Sequence, residues 1–262
     1  MSESSLSIGY PELCVEVGYH IGYGRTAASW ATAQLSLIDS IVQSGVRRVY
    51  FPPSVGEIFA GYEWSWLRPT TTLSVVSGTA DYDFPDDFGR LCSPLYYPSE
   101  EYRRPVQLVS LGKILSRRSF SDLTGAPTEC ATRYKACDGT VGSRQELLLF
   151  PEPDDDWTMK YEYEAFTGAL TDAAPYALGG MKMAEVYIES CLAVAETRMD
   201  IDDKIGIHTT LFKALLVDAI QRDKKTGAVH FGQMSGGDPE VAEFHRGYGS
   251  GTYPITYDGE TI

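Results

Sequence analysis

The spacing of apolar positions changes character three times along the chain. From about Thr26 to Ser44, Trp30, Leu37, Ile38, Ile41 and Val42 recur at i, i+7, i+8, i+11 and i+12, one face of a helix. Gly45 is placed to end that helix, and Arg47–Phe51 then runs into Pro52 and Pro53, which forbid its continuation. A shorter helix is predicted over residues 8–22 around Glu12–Val17, closed by Gly18, Gly22 and Gly24. From Thr70 to Phe166 the period switches to two. Candidate strands are Thr70–Val76, Gly89–Tyr97, Pro105–Leu111, Thr128–Ala136, Glu146–Phe150 and Trp157–Phe166. The last alternates strictly, with Trp157, Met159, Tyr161, Tyr163 and Ala165 on one face. The acidic turn Pro151–Asp156 predicts that the final two strands pair as a hairpin. Tyr62–Phe88, with Trp64 and Trp66 at one end and Phe84 and Phe88 at the other, reads as a second hairpin turning at Ser77-Gly78. A short helix over Lys113–Phe120 interrupts the strands, with Arg117 and Arg118 exposed.

After Pro175 the helical period returns. Leu178, Met181, Ala184, Ile188, Cys191, Leu192, Ala195 and Met199 form the stripe of one long amphipathic helix. A turn over Asp200–Gly206 leads to a second helix reaching about Lys225, and the two form an antiparallel hairpin. Beyond Gly227 no period is sustained. Glycines and tyrosines dominate, which predicts an extended docking arm. The expected fold class is α+β: a helical bundle of N- and C-terminal helices, an inserted antiparallel β-domain and a C-terminal arm. The expected divisions are 1–69 and 167–226 for the bundle, 70–166 for the β-domain and 227–262 for the arm.

Composition narrows the function. The 262 residues carry a net charge of −14, the wrong sign for a protein that grips DNA through its phosphates. The five cysteines are scattered without a CxxC, which fits free thiols in a reducing cytoplasm. No secretory signal and no membrane-spanning run is read from the sequence, so a soluble protein made in a cytoplasm is expected. The 17 tyrosines suit β-surfaces, cores and interfaces alike.

Candidate chemistry is sparse. The glycines of Gly18–Gly24 lack dinucleotide-binding spacing, and the phosphate-loop, HExxH and GxSxG patterns are absent. Asp86-Asp87, Asp154–Asp156 and Asp200, Asp202 and Asp203 sit in expected turns without spaced calcium ligands. Cys191 and His208 would make a nucleophile pair only if Cys191 left the apolar stripe it occupies. The doublets Arg47-Arg48, Arg103-Arg104 and Arg117-Arg118 fit salt-bridged or solvated faces better than a phosphate grip. No catalytic residue, metal site or cofactor is expected, and the chain is not read as an enzyme.

Three segments carry a resemblance. They are YPELCVEVGYHIGYG with the later GVRRVYFPP, then YEWSWLRP running to YDFPDDF, and a helix pair containing IESCLAVAE ahead of a tail. Together and in this order they resemble the head-to-tail adaptor (connector) proteins of tailed bacteriophages. That resemblance implies a structural virion protein, assembled in the host cytoplasm and forming a ring of about twelve subunits in the neck. It implies contacts with the portal protein above and a tail or nozzle protein below. DNA would pass through the ring without sequence-specific binding, and no membrane partner is implied. The arm would dock on the portal through Phe231, Phe244, Tyr248 and Tyr253. A tail-tube or tail-terminator subunit is the alternative, disfavoured by the three strong helices, and a hydrolase with an unrecognised site is a more distant one.

Overall fold

A computed structural model describes residues 3–54, 61–101, 103–140, 142–199, 206–226, 256–257 and 260–261. Residues 1–227 belong to one compact unit and 228–262 to a second. The architecture is α+β, with five α-helices and mixed and antiparallel sheets among the described residues.

The helical part is built from α1 (Tyr10–His20), α2 (Thr32–Tyr50), α4 (Ala184–Arg198) and α5 (Ile207–Thr226). Their apolar residues share one core, with Leu13, Ile41, Val42, Tyr187, Cys191 and Leu216 almost wholly enclosed. Two N-termini are held by side chains that reach back one turn. The Gly9 N–H donates to Glu12 Oε2 (2.9 Å) and the Ala31 N–H to Gln34 Oε1 (2.7 Å), satisfying amides the helix leaves free.

The expected stop at Gly45 is not there, since α2 runs on to Tyr50. Gly45 serves a different purpose. A Cβ at that position would lie 2.6 Å from Cys191 Sγ and 2.8 Å from its Cα, so only glycine lets α2 and α4 approach this closely. Ser190 Oγ then donates to the Gly45 carbonyl (2.8 Å) across the same contact. The helix stripe expected from Leu178 also begins late. A left-handed Gly179 and a 3₁₀ turn, Gly180–Met183, precede α4, and Leu178, Met181 and Met199 are exposed. Within α4, eight of fifteen residues are buried, so it is enclosed on most sides rather than along one stripe. The turn expected at 200–206 falls almost entirely outside the described residues.

The β part is a sandwich backed by a helix. One sheet has the order β1 (Thr70–Val75), β7 (Trp157–Ala165), β3 (Phe88–Leu91); the other has β2 (Asp81–Asp83), β6 (Gly142–Phe150), β5 (Glu129–Asp138), β4 (Gln107–Leu108). Leu147, Leu149 and Cys130 from the second sheet share a core with Val75, Met159, Tyr161 and Tyr163 from the first. Leu148, Phe150 and Ala131 point the other way and are covered by Ile114 of α3 (Leu111–Phe120). The run Glu146–Phe150 is therefore buried on both faces, which explains why it does not alternate.

Both expected hairpins are corrected. Strand β1 pairs with β7 and β2 with β6, so neither β1–β2 nor β6–β7 is a hairpin; β5 and β6 do pair as one. The chain changes sheets between β1 and β2 and again between β6 and β7. The two crossings lie together, with the Gly78 N–H donating to the Pro153 carbonyl and the Ser77 N–H to Asp156 Oδ1, both at 2.8 Å. A Ser-Gly turn carries the same local signal whether the chain folds back within a sheet or steps to the facing one. Strand expectations over 89–97 and 105–111 shrink to β3 and β4, because Pro94, Pro98 and Pro105 break the ladder. Arg118, expected exposed, is half-buried and donates to the Ala80 and Leu149 carbonyls at 3.0 and 2.9 Å.

Gly45→Ala is expected to cost about 1–3 kcal/mol through overpacking against Cys191. Gly112→Ala, on the open side of α3 with nothing within 4 Å, is expected to be neutral or to stabilise by about 0.5–1 kcal/mol. Urea denaturation of the two variants and the parent checks this contrast.

Candidate functional site

The residues between the helices and the sandwich are joined by a network of hydrogen bonds and ring contacts. Trp64 is buried, and its indole Nε1–H donates to the Val49 carbonyl (2.7 Å) in the last turn of α2, a group the helix leaves without an internal partner. Trp66 stacks on Trp64 at 5.2 Å, and Tyr62 meets Trp64 edge-on at the same distance. Asp223, on the last turn of α5, gathers this segment. It accepts from Tyr62 Oη–H (2.6 Å), from the Ser65 N–H (2.9 Å) and from the Ser65 hydroxyl. Burial, with the Asp223 carboxylate next in effect, pushes the Tyr62 phenol well above its ordinary range and keeps it a donor.

On the sandwich side, Glu63 pairs with Arg68 (2.9 Å) and Arg90, and Arg90 also pairs with Glu164 on β7 (3.0 Å). Phe51, just past α2, meets Phe166, just past β7, edge-on at 5.5 Å. The Trp segment borders a cleft of about 430 Å³, lined by Trp66, Met183 and Ala219 with Lys182, Arg222 and Asp223 at its polar side. Aromatic and thioether walls with a few charged groups are suited to holding a side chain of another molecule. Asp223 is not a free base, because three donors already occupy it.

A second cluster sits where α1 ends and α5 begins. The His20 and His208 rings meet edge-on at 4.9 Å, and His208 Nδ1 lies 2.8 Å from Glu189 Oε2. Glu196 of α4 accepts from the His208 and Thr209 amides at 3.3 Å, capping α5 from a neighbouring helix. Burial, then the nearby His208, lower the His20 pKa against the opposing pull of Glu196 and Glu189. Sequence reasoning weighed a Cys191–His208 pair and favoured a core cysteine. The structure puts Cys191 in the core, its Sγ 3.8 Å from the Val42 carbonyl and its thiol pKa pushed far up by burial.

The remaining candidates are placed as follows. Phe231, Phe244, Tyr248 and Tyr253 lie outside the described residues, as do Asp200, Asp202 and Asp203. Asp87 accepts from Tyr163 Oη–H, Asp86 pairs with Arg144, and Asp156 holds the Ser77 amide. Gly18 is a packing glycine whose Cβ would strike the Trp30 ring at 2.4 Å. Arg103 pairs with Glu101 and lies over the Trp157 ring at 5.6 Å, and Arg117 pairs with Glu129. Among the described residues no group of three or more His, Cys, Asp or Glu side chains could hold a metal ion, and no helix is long and apolar enough to cross a membrane. Asp223 and the His20–Glu196 cluster were missed, because each joins residues far apart in sequence with no spacing signature.

An aromatic, hydrogen-bonded segment thus ties the helical core to the β-sandwich. The profile of the SU10 adaptor protein family matches residues 10–232, and the chain belongs to that family of phage head-to-tail adaptors. Membership bears out the resemblance read from the sequence and gives the chain a structural adaptor role in a bacteriophage. No match to the chain is found among curated proteins.

Asp223→Ala is expected to destabilise by about 1.5–3 kcal/mol, the scale for lost hydrogen bonds to a charged group, and to red-shift tryptophan emission. Equilibrium unfolding followed by fluorescence measures both. Acidification has a definite sign. The lowered folded-state pKa of His20 means that its contribution to stability is full above the ordinary value of 6.5 and is lost as pH falls through the lowered one. Urea midpoints measured from pH 8 down to 5 are therefore expected to fall less steeply for His20→Gln than for the parent.

Proposed function

We propose that the chain is the ring-forming adaptor subunit that joins the portal of a tailed bacteriophage to its tail and lines part of the channel taken by the genome. The family match over residues 10–232 carries this reading. Physical features of the chain support it. Ring closure by heterologous contacts leaves an axial hole, and repeating a −14 subunit around that hole favours a lumen that repels DNA rather than binding it. The expected stoichiometry is twelve, and the role is assembly and passage of DNA at ejection, not catalysis.

In this reading residues 1–69 and 167–226 form the helical bundle of the ring and 70–166 the domain facing neighbouring subunits or the tail. Residues 227–262 form the arm that docks on the portal. Phe231, Phe244, Tyr248 and Tyr253 are its anchors, because aromatic side chains supply much of the energy of a docking contact. The protein is placed in the neck of the virion after assembly in the host cytoplasm.

Native mass and negative-stain images of the full chain, alone and with its portal, test the reading. A ring, or a monomer that becomes a ring only on the portal, is the expected outcome; a monomer indifferent to the portal overturns it. Full-length protein carrying Phe231→Ser, Phe244→Ser, Tyr248→Ser and Tyr253→Ser together is expected to lose portal binding by at least tenfold with an unchanged circular dichroism spectrum. Portal binding at parental affinity removes the arm from the account.

A further inference from the structure

Among the described residues the sandwich has four edge strands, and three of them are protected. β2 carries Asp81 and Asp83, β3 carries Arg90 beside a register shift, and β4 is two residues long. Charges, bulges and shortness are the usual devices that stop a sheet edge from adding a foreign strand. β1 has none of them. It is six residues long, Thr-Thr-Thr-Leu-Ser-Val, and no charge or interior proline occurs between Pro69 and Ala80.

The direction of its backbone groups follows from its partner. β1 faces β7 in the register Thr70↔Glu162, Thr72↔Lys160, Ser74↔Thr158. The Lys160 amide and carbonyl are both spent on Tyr96, on the side of β7 away from β1, and the Glu162 carbonyl accepts from Cys92. Lys160 and Glu162 are thus in non-hydrogen-bonded pairs with β1, so Thr72 and Thr70, and Ser74 by alternation, also turn their backbone groups outward. All three residues are exposed, and no described strand lies on that side.

We propose that this outer edge of β1 takes an extended strand from a second copy of the chain, joining neighbouring subunits through a continuous sheet. The proposal rests on the ring reading above. The occupant is argued from charge. Each copy carries −14, so two copies meet at least cost along a strip without charged side chains, where main-chain hydrogen bonds supply the attraction. Pairing of β1 with β1 would close a two-fold dimer, whereas a ring needs a heterologous contact. The added strand is therefore a different segment of the neighbour.

The test uses full-length protein and two variants, Thr72→Pro and Thr72→Lys. The Thr72 amide points away from β7, so proline there removes an outward donor and leaves the β1–β7 ladder intact, while lysine supplies the missing protective charge. Native mass, negative-stain images and amide exchange are recorded with and without portal, and near-UV circular dichroism checks folding. The expected result is rings for the parent, slowed exchange at Thr70, Thr72 and Ser74 on assembly, and at least a tenfold rise in the concentration each variant needs to assemble. Parental assembly of both folded variants, or equal exchange of those amides in ring and monomer, overturns the edge contact and leaves the ring reading standing. A dimer abolished by the same substitutions overturns the heterologous pairing. A parent that never assembles, with or without portal, overturns the ring reading itself and the edge proposal with it.

Discussion

The sandwich depends on one corner, where the chain crosses between sheets twice and the two crossings bond to each other through Gly78 and Pro153 and through Ser77 and Asp156. Because β1 and β2 leave for different sheets there, and β6 and β7 do the same in reverse, β1 meets β7 in one sheet and β2 meets β6 in the other. The pairings β1–β7 and β2–β6 span some 60 to 90 residues of sequence, and they hold the domain closed. The Glu146–Phe150 run is then sandwiched between the main core and α3. Contacts of such long sequence separation are the slow step in folding, because loop closure must precede the reward of burial.

Much of the fold was legible and the reasons are local. Ile38, Ile41 and Val42 on α2, and the strict alternation from Trp157 to Ala165, declare their elements because period and burial coincide there, whereas Trp30 lies ahead of α2, after a 3₁₀ turn over Ala27–Ser29. What failed were signals with two physical meanings. Gly45 reads as a helix stop, yet its missing side chain admits Cys191. Ser77-Gly78 reads as a hairpin turn, yet it is a step between sheets. In both cases the partner that decides the meaning lies more than 70 residues away, and no local pattern contains it.

The candidate site was legible only in part. Trp64 and Trp66 stood out as a pair, and they do mark the junction between helices and sandwich. Asp223, which organises that junction, sits among exposed charges at the end of α5 and looks like any solvated carboxylate. Phe231, Phe244, Tyr248 and Tyr253 lie outside the described residues, and the last three also lie beyond the family match, so their proposed docking role is drawn from the sequence.

Asp223 also has a mechanical consequence. Tension applied to the chain beyond Thr226 reaches Asp223 three residues earlier, where the Tyr62 hydroxyl and both donors of Ser65 share it. A load borne by several bonds in parallel is resisted far better than one that peels a helix a turn at a time. The same segment carries the force onward through Trp64 to the end of α2. The end of α5 is thereby tied to the helical core by more than the helix's own hydrogen bonds.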